Sequence, residues 1–387
     1  MFLYYLVLIL SLLYYYINIT GKINNSKVFF ICYMSYVAIF VGLGDMIGGY
    51  DRYIYGAIFD DIVNNFHLNH AIFLESVRGQ EYGYIILNLL FAHVTSNRYM
   101  FIFLFTALMY FLYIKAIIEH INNYPLTCIV FLGFFFYYTI TYMREALAIG
   151  IAWQSIKYLM ERKPLPFFII VFIAYSIHNS AIVFAPLYFV KPHKYSKETI
   201  TRFLILCLLI GLSPLPKLVL GGLGDITGKS ERLDEYAADL GNNGFTRIIE
   251  VGLFIWMLFS CYYQIAKFKK KDLIMLNIYL AFCGILLLTM RFGQGRRMGW
   301  YFYIGIFYII SDVFIKKKRL EWRKYLFIIL CVLSFIRITV AWAFNLGPYK
   351  TFLTNGYPCG ERIIYEENEY DENYTKDKLY RPLIDFK

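Results

Sequence analysis

Three arginines stand in the ten-residue link RFGQGRRMGW, residues 291–300, between the apolar runs LIMLNIYLAFCGILLLTM and YFYIGIFYII. Arg291, Arg296 and Arg297 each offer a planar fork of donors that fits phosphate or carboxylate. Gly293, Gly295 and Gly299 allow backbones to come close around them. A fourth arginine, Arg144, sits beside Glu145 in YTITYMREALAIGIAW, again between apolar runs. A charge placed at membrane depth costs on the order of 2.5 to 3.5 kcal/mol, so Arg144 needs a partner there. The partner is either Glu145 or an anionic ligand. His178 lies in the middle of PFFIIVFIAYSIHNSAIVFAPLYFVK. It reads either as a hydrogen-bonded core residue or as a functional group at a helix break.

The elements that carry these residues are set by composition. The chain has 387 residues, 59% of them hydrophobic and 20% aromatic, with a mean hydropathy of +0.52. Continuous apolar runs recur to about residue 343, which predicts an all-α, polytopic membrane helical bundle, since only helices or closed barrels satisfy their backbone groups in lipid. The runs 2–19, 28–44, 99–115, 124–140, 144–160, 165–177, 179–190, 203–220, 248–266, 273–290, 298–315 and 325–343 predict about twelve crossings. Residues 82–96 are apolar but short, and read as a re-entrant or interfacial helix. A single transmembrane domain thus covers 1–343, with outward loops at 45–98, 221–247 and 291–297, and a polar tail at 344–387.

Charge fixes the sidedness. With 82–96 re-entrant, the basic links at 21–27, 114–123, 157–163, 190–202, 267–272 and 316–324 fall on one side, which the positive-inside rule makes cytoplasmic. Both termini then face outward. The net charge of +11 is accounted for by this topogenic signal, so no nucleic-acid partner is called for. The inner links carry mostly lysine and the outward ones mostly arginine, which points to anion recognition from an outward-facing cavity. The run 165–190 is flanked by basic clusters at both ends, so it reads as a hairpin and not as one span. About thirteen residues per arm reach only ~20 Å, so the turn at His178 and Asn179 is recessed below the outer surface.

Several motifs are set aside on physical grounds. GGLGDITGKS resembles a phosphate-binding loop, but the spacing between Gly222 and Gly228 is one residue too long, and the outer face lacks ATP. A flexible lid is the better reading of 221–247. Cys32, Cys128, Cys207, Cys261, Cys283 and Cys331 lie in apolar runs and Cys359 in the tail, with no CxxC pair, so they read as packing residues and not as a disulfide or zinc framework. No metal site and no cofactor is expected. The N-terminal run lacks a basic region and a cleavage site and reads as the first membrane helix.

The motifs GGYDRYIY, EYGY, MREALAIGIA and HNSAI and the late arginine loop, taken in order, resemble the EpsG-like family of exopolysaccharide polymerases, a branch of the Wzy-type O-antigen and capsule polymerases. The chain departs from the usual pattern with Gly-Tyr-Asp for Gly-Thr-Asp, with Glu145 for Gln, and with Asn179 for Lys. The resemblance implies a metal-independent glycosyl transfer at the outer face of the bacterial cytoplasmic membrane, toward the periplasm or cell exterior. The donor and acceptor would be glycans linked to undecaprenyl pyrophosphate, with membrane lipids and a chain-length regulator protein as further partners. In that chemistry Arg144, Arg291, Arg296 and Arg297 would hold the pyrophosphate, with Glu145 beside them. His178, Asp51 and Glu81 are the candidate bases, His178 favoured because its ordinary pKa lies nearest neutrality. Asp51, Arg52, Tyr53 and Tyr82 would position sugars. An O-antigen ligase, a polysaccharide-lipid flippase or transporter, and a multi-spanning acyltransferase are the rival readings.

Overall fold

A computed structural model describes residues 2–21, 25–44, 51–66, 80–216, 244–262, 269–291, 295–313, 321–346, 349 and 351. Among these residues the chain is helical throughout, apart from one isolated bridge between Gly44 and Thr351. Among the described residues, four helices are long and apolar enough to cross a membrane by length and composition, and several shorter apolar helices accompany them. The chain is an integral membrane protein of the all-helical class. The expected lid over 221–247 and the glycine-rich motif inside it lie almost entirely outside the described residues, as do Gly293 and the tail beyond Thr351.

The chain divides into two compact units, one of 1–151, 173–179 and 322–387, the other of 152–172 and 180–321. In the first unit, α1 (Phe2–Ile19), α2 (Lys27–Leu43), α3 (Arg52–Phe66), α4 (Tyr82–Ala92) and α5 (Arg98–His120) are followed by α6 (Tyr124–Phe134), α7 (Phe136–Thr141) and the main part of α8 (Met143–Gln154). α5 packs on α2 and α3, while α1 packs on α6. Its most apolar window is half buried against only 28% for α1, so α5 is the central post of this unit. Its start is fixed locally, because Asn97 accepts hydrogen bonds from the amides of Tyr99 and Met100 at 2.9 and 3.2 Å. Asn123 caps α6 in the same way, with Pro125 in the first turn where its missing amide costs nothing.

Among the described residues of 45–98, expected as outward with a re-entrant or interfacial helix at 82–96, α3 stands beside α4. α3 escaped the hydropathy pattern because it carries Arg52, Asp60, Asp61 and two asparagines, yet Tyr55, Phe59 and Ile62 recur at helical spacing and are buried. Ile62 meets Ile85 of α4, with Ile58 and Leu89 packed around them. The 11 residues of α4 reach ~16 Å, too short to cross a bilayer. The beginning of the tail is docked: Tyr349 stacks on Phe40 with ring centroids 4.3 Å apart and donates to the Phe40 carbonyl.

The second unit holds α9 (Ile156–Glu161), the main part of α10 (Pro164–Ile177), α11 (Lys197–Leu212), α12 (Gly244–Tyr262) and α13 (Lys270–Leu288). Here α13 is the centre, 61% buried over its apolar window, with α11 and α12 packed on it. Gly211 lets α11 touch α13 directly, since a Cβ there would stand 2.0 Å from the Leu287 carbonyl oxygen. The expected hairpin is present. α10 ends at Ile177 and a 3-10 segment runs from Asn179 to Phe189. At its base the Arg162 guanidinium donates to the carbonyls of Tyr188 and Val190, and the Tyr188 hydroxyl returns to the Arg162 carbonyl at 2.8 Å.

Candidate functional site

Arg144 lies in the first turn of α8, just after the chain breaks at Tyr142, whose backbone (φ −99, ψ 57) ends α7. α8 is held from α5: the Tyr113 hydroxyl donates to the Ala146 carbonyl, and Gly150 brings the helix against Leu112 and Tyr113. The guanidinium is therefore presented from a fixed backbone. Its Nη1 donates to Gln80 Oε1 and to Glu81 Oε2, each at 2.7 Å. Its charge lies over the rings of Tyr84 and Tyr55, 5.1 and 5.6 Å from their centroids. Nε is buried and has no hydrogen-bond partner among the described residues. The Arg144 side chain keeps 19% exposure and that of Glu81 keeps 11%, so the pair is largely but not wholly buried.

The ion partner of Arg144 is Glu81, 63 residues away in sequence, and not the adjacent Glu145, which is itself 2% exposed. Adjacent residues on a helix point in different directions, so a neighbour in sequence is a poor partner in space. Glu81 stands at the N-cap of α4 in extended conformation, and its side chain makes no cap hydrogen bond. The carboxylate goes to Arg144 in place of capping its own helix.

His178 follows the last residue of α10 and donates its amide to the Ala174 carbonyl at 3.0 Å. The tip of the hairpin and the start of α4 touch through Gly83, where a Cβ would fall 2.2 Å from Ser176 Oγ and 2.7 Å from its carbonyl oxygen. This contact sets the tip two residues before His178 against the turn that carries Glu81. Asp51 precedes α3 and its carbonyl accepts from the amides of Ile54 and Tyr55. Arg52 is 1% exposed and donates to the carbonyls of Gly42 and Gly44 at 3.1 and 2.9 Å, tying the end of α2 to the start of α3. Tyr53 is half-buried, and Tyr82 is 83% exposed. Tyr55 and Tyr84, which the sequence reading passed over, carry the rings beside Arg144. The available signal was helical spacing, because Tyr55 lies three residues after Arg52 on the buried face of α3.

The arginine link belongs to the other unit. Arg296 donates to Glu250 Oε2 of α12 at 2.6 Å, with both side chains about two-fifths exposed. Arg297 lies 5.7 Å from the Trp300 ring centroid, and exposed Arg291 donates to the Leu212 carbonyl at 3.0 Å. Gly295 is required by close packing, as a Cβ there would lie 2.4 Å from Thr289 Cβ. Trp153 Nε1 donates to the Tyr301 carbonyl at 2.8 Å, and the Tyr301 hydroxyl pairs with Ser180, so the residues after the link are fixed within this unit. Among the described residues, no group of three His, Cys, Asp or Glu side chains could hold a metal ion.

The EpsG family matches residues 36–352, which include Arg144, the hairpin and the arginine link. The chain belongs to the EpsG family. No curated protein and no solved structure matches it. The EpsG family is associated with exopolysaccharide biosynthesis, which fits a helical membrane protein that holds an arginine between aromatic rings.

Proposed function

We propose that this EpsG-family protein is a Wzy-type polymerase, a membrane glycosyltransferase that joins oligosaccharide repeat units carried on undecaprenyl pyrophosphate. The observation that carries the reading is Arg144, fixed at a helix break between two tyrosine rings with an Nε that has no hydrogen-bond partner among the described residues. Cleavage of a sugar–pyrophosphate bond leaves charge on the leaving phosphate. A preorganised guanidinium in a poorly hydrated pocket stabilises that charge as it develops. The preformed lipid pyrophosphate supplies the driving force. The base that accepts the proton of the attacking hydroxyl is drawn from His178, Glu81 and Asp51. Asp51, Tyr53 and exposed Tyr82 would meet sugar hydroxyls and ring faces, while Arg52 and Glu145 brace the site from within. Arg291, Arg296 and Arg297 would contribute further phosphate-binding charge.

In this reading the chain crosses the bacterial cytoplasmic membrane about twelve times, α4 is re-entrant, and the site opens to the outer face. The positive-inside distribution of lysine supports that orientation. The test is polymerisation in vitro of lipid-linked repeat units extracted from the native membrane. Arg144→Ala, Arg297→Ala and His178→Ala should each shorten or abolish the glycan ladder. Full ladders in all three, or labelling of cysteines placed at 144 and 178 from the cytoplasmic side only, would overturn the reading.

A further inference from the structure

The Arg144–Glu81 pair has a consequence for the order of events. A lipid pyrophosphate arriving at Arg144 meets a guanidinium that already holds a carboxylate on Nη1 and whose Nε has no hydrogen-bond partner among the described residues. The incoming group carries more negative charge than one carboxylate, and its oxygens match the guanidinium fork. Arg144 itself stays in place during the exchange, because its backbone is tied to α5 and the two rings hold its face. Glu81 stands in extended backbone at the head of α4, and its side chain makes no hydrogen bond to cap the helix. Gln80, a neutral acceptor on the same Nη1, does not repel the incoming anion.

We propose that Glu81 is the general base of the transfer, held off by Arg144 until the donor's pyrophosphate takes over the guanidinium. The proposal rests on the glycosyltransferase reading above. The acceptor hydroxyl oxygen forms the new bond to the anomeric carbon of the donor, and the bond from that carbon to the pyrophosphate oxygen breaks. The electron pair leaves with the lipid pyrophosphate on Arg144, and the hydroxyl proton goes to the Glu81 carboxylate. The resting ion pair thus keeps the base neutralised while the donor is absent. The Glu81 carboxylate is in hydrogen-bonded contact with the group that would hold the leaving phosphate. The contact of Gly83 with Ser176 keeps this turn against the hairpin tip, so His178 is left to orient the acceptor.

The test uses the full chain in nanodiscs, with undecaprenyl pyrophosphate for binding and extracted lipid-linked repeats for turnover. Glu81→Gln should bind undecaprenyl pyrophosphate at least as tightly as the wild type while kcat falls about 100-fold, the scale of a lost general base. Glu81→Ala should regain part of its turnover when formate is added, and Glu81→Asp should keep a measurable rate with unchanged binding. Arg144→Ala should lose binding. If Glu81→Gln turns over within threefold of wild type, or if Glu81→Gln weakens binding as Arg144→Ala does, the assignment of the base is overturned while the pyrophosphate grip stands. If Arg144→Ala leaves binding unchanged, the grip fails instead, and the exchange proposed for Glu81 fails with it.

Discussion

Gly83 and Ser176 meet backbone to backbone, with the glycine so close that a Cβ would overlap the serine carbonyl carbon at 2.8 Å. The helix that carries Glu81 and the tip that carries His178 are therefore registered by one missing methyl group. Backbone atoms cannot rotate away as a side chain can. Gly83→Ala should cost about 1 to 3 kcal/mol of overpacking, lowering the melting temperature in nanodiscs. Polymerisation should fall further than stability, because the shift lands at the site. A variant with full activity and unchanged melting would show that the contact does not position the site.

Arg98 and Asp60 form a buried ion pair between α5 and α3, with side-chain exposures of 1% and 9%. Nε and Nη1 of Arg98 have no hydrogen-bond partner among the described residues, so Asp60 carries the compensation for that charge. Breaking such a pair by removing one partner typically costs about 3 to 5 kcal/mol, whereas replacing both with apolar residues is often neutral. Asp60→Asn should destabilise strongly, and the double variant Asp60→Leu with Arg98→Met should recover much of the loss. Thermal melting of the three proteins checks this order.

The Tyr84 ring beside Arg144 presents its face to the guanidinium. Tyr84→Phe keeps a face and should retain more than half of the activity, while Tyr84→Ala should lose about tenfold, equivalent to ~1.4 kcal/mol and within the range of a desolvated cation–π contact. Tyr55→Ala should behave similarly. Equal losses for Phe and Ala at position 84 would instead assign the effect to the hydroxyl.

Arg296 and Glu250 make a half-exposed pair, which solvent screens heavily. Glu250→Gln should therefore leave the melting temperature nearly unchanged, by less than about 1 kcal/mol, and should tighten or preserve binding of undecaprenyl pyrophosphate. Arg296→Gln should leave stability equally untouched but weaken that binding. Equal effects of the two variants on binding would mark the pair as structural.

The elements named from apolar runs are close to those observed: α1 over Phe2–Ile19, α5 over Arg98–His120, α13 over Lys270–Leu288, and the break at His178. Runs of apolar side chains identify themselves because lipid selects each residue independently of its distant neighbours. The same criterion hid α3. A helix that keeps Arg52 and Asp60 by pairing them internally looks, in a hydropathy window, like a loop.

By itself, the sequence determined that this is a helical membrane protein and that Arg144, standing between apolar runs, must have a partner. It could not determine which partner. Glu145 was adjacent, but the bond runs to Glu81, and the rings that flank the guanidinium belong to Tyr55 and Tyr84. Local chemistry is written residue by residue. Pairing across 63 positions depends on how α3, α4 and α8 fold back around α5, and only the tertiary structure decides which side chains arrive together.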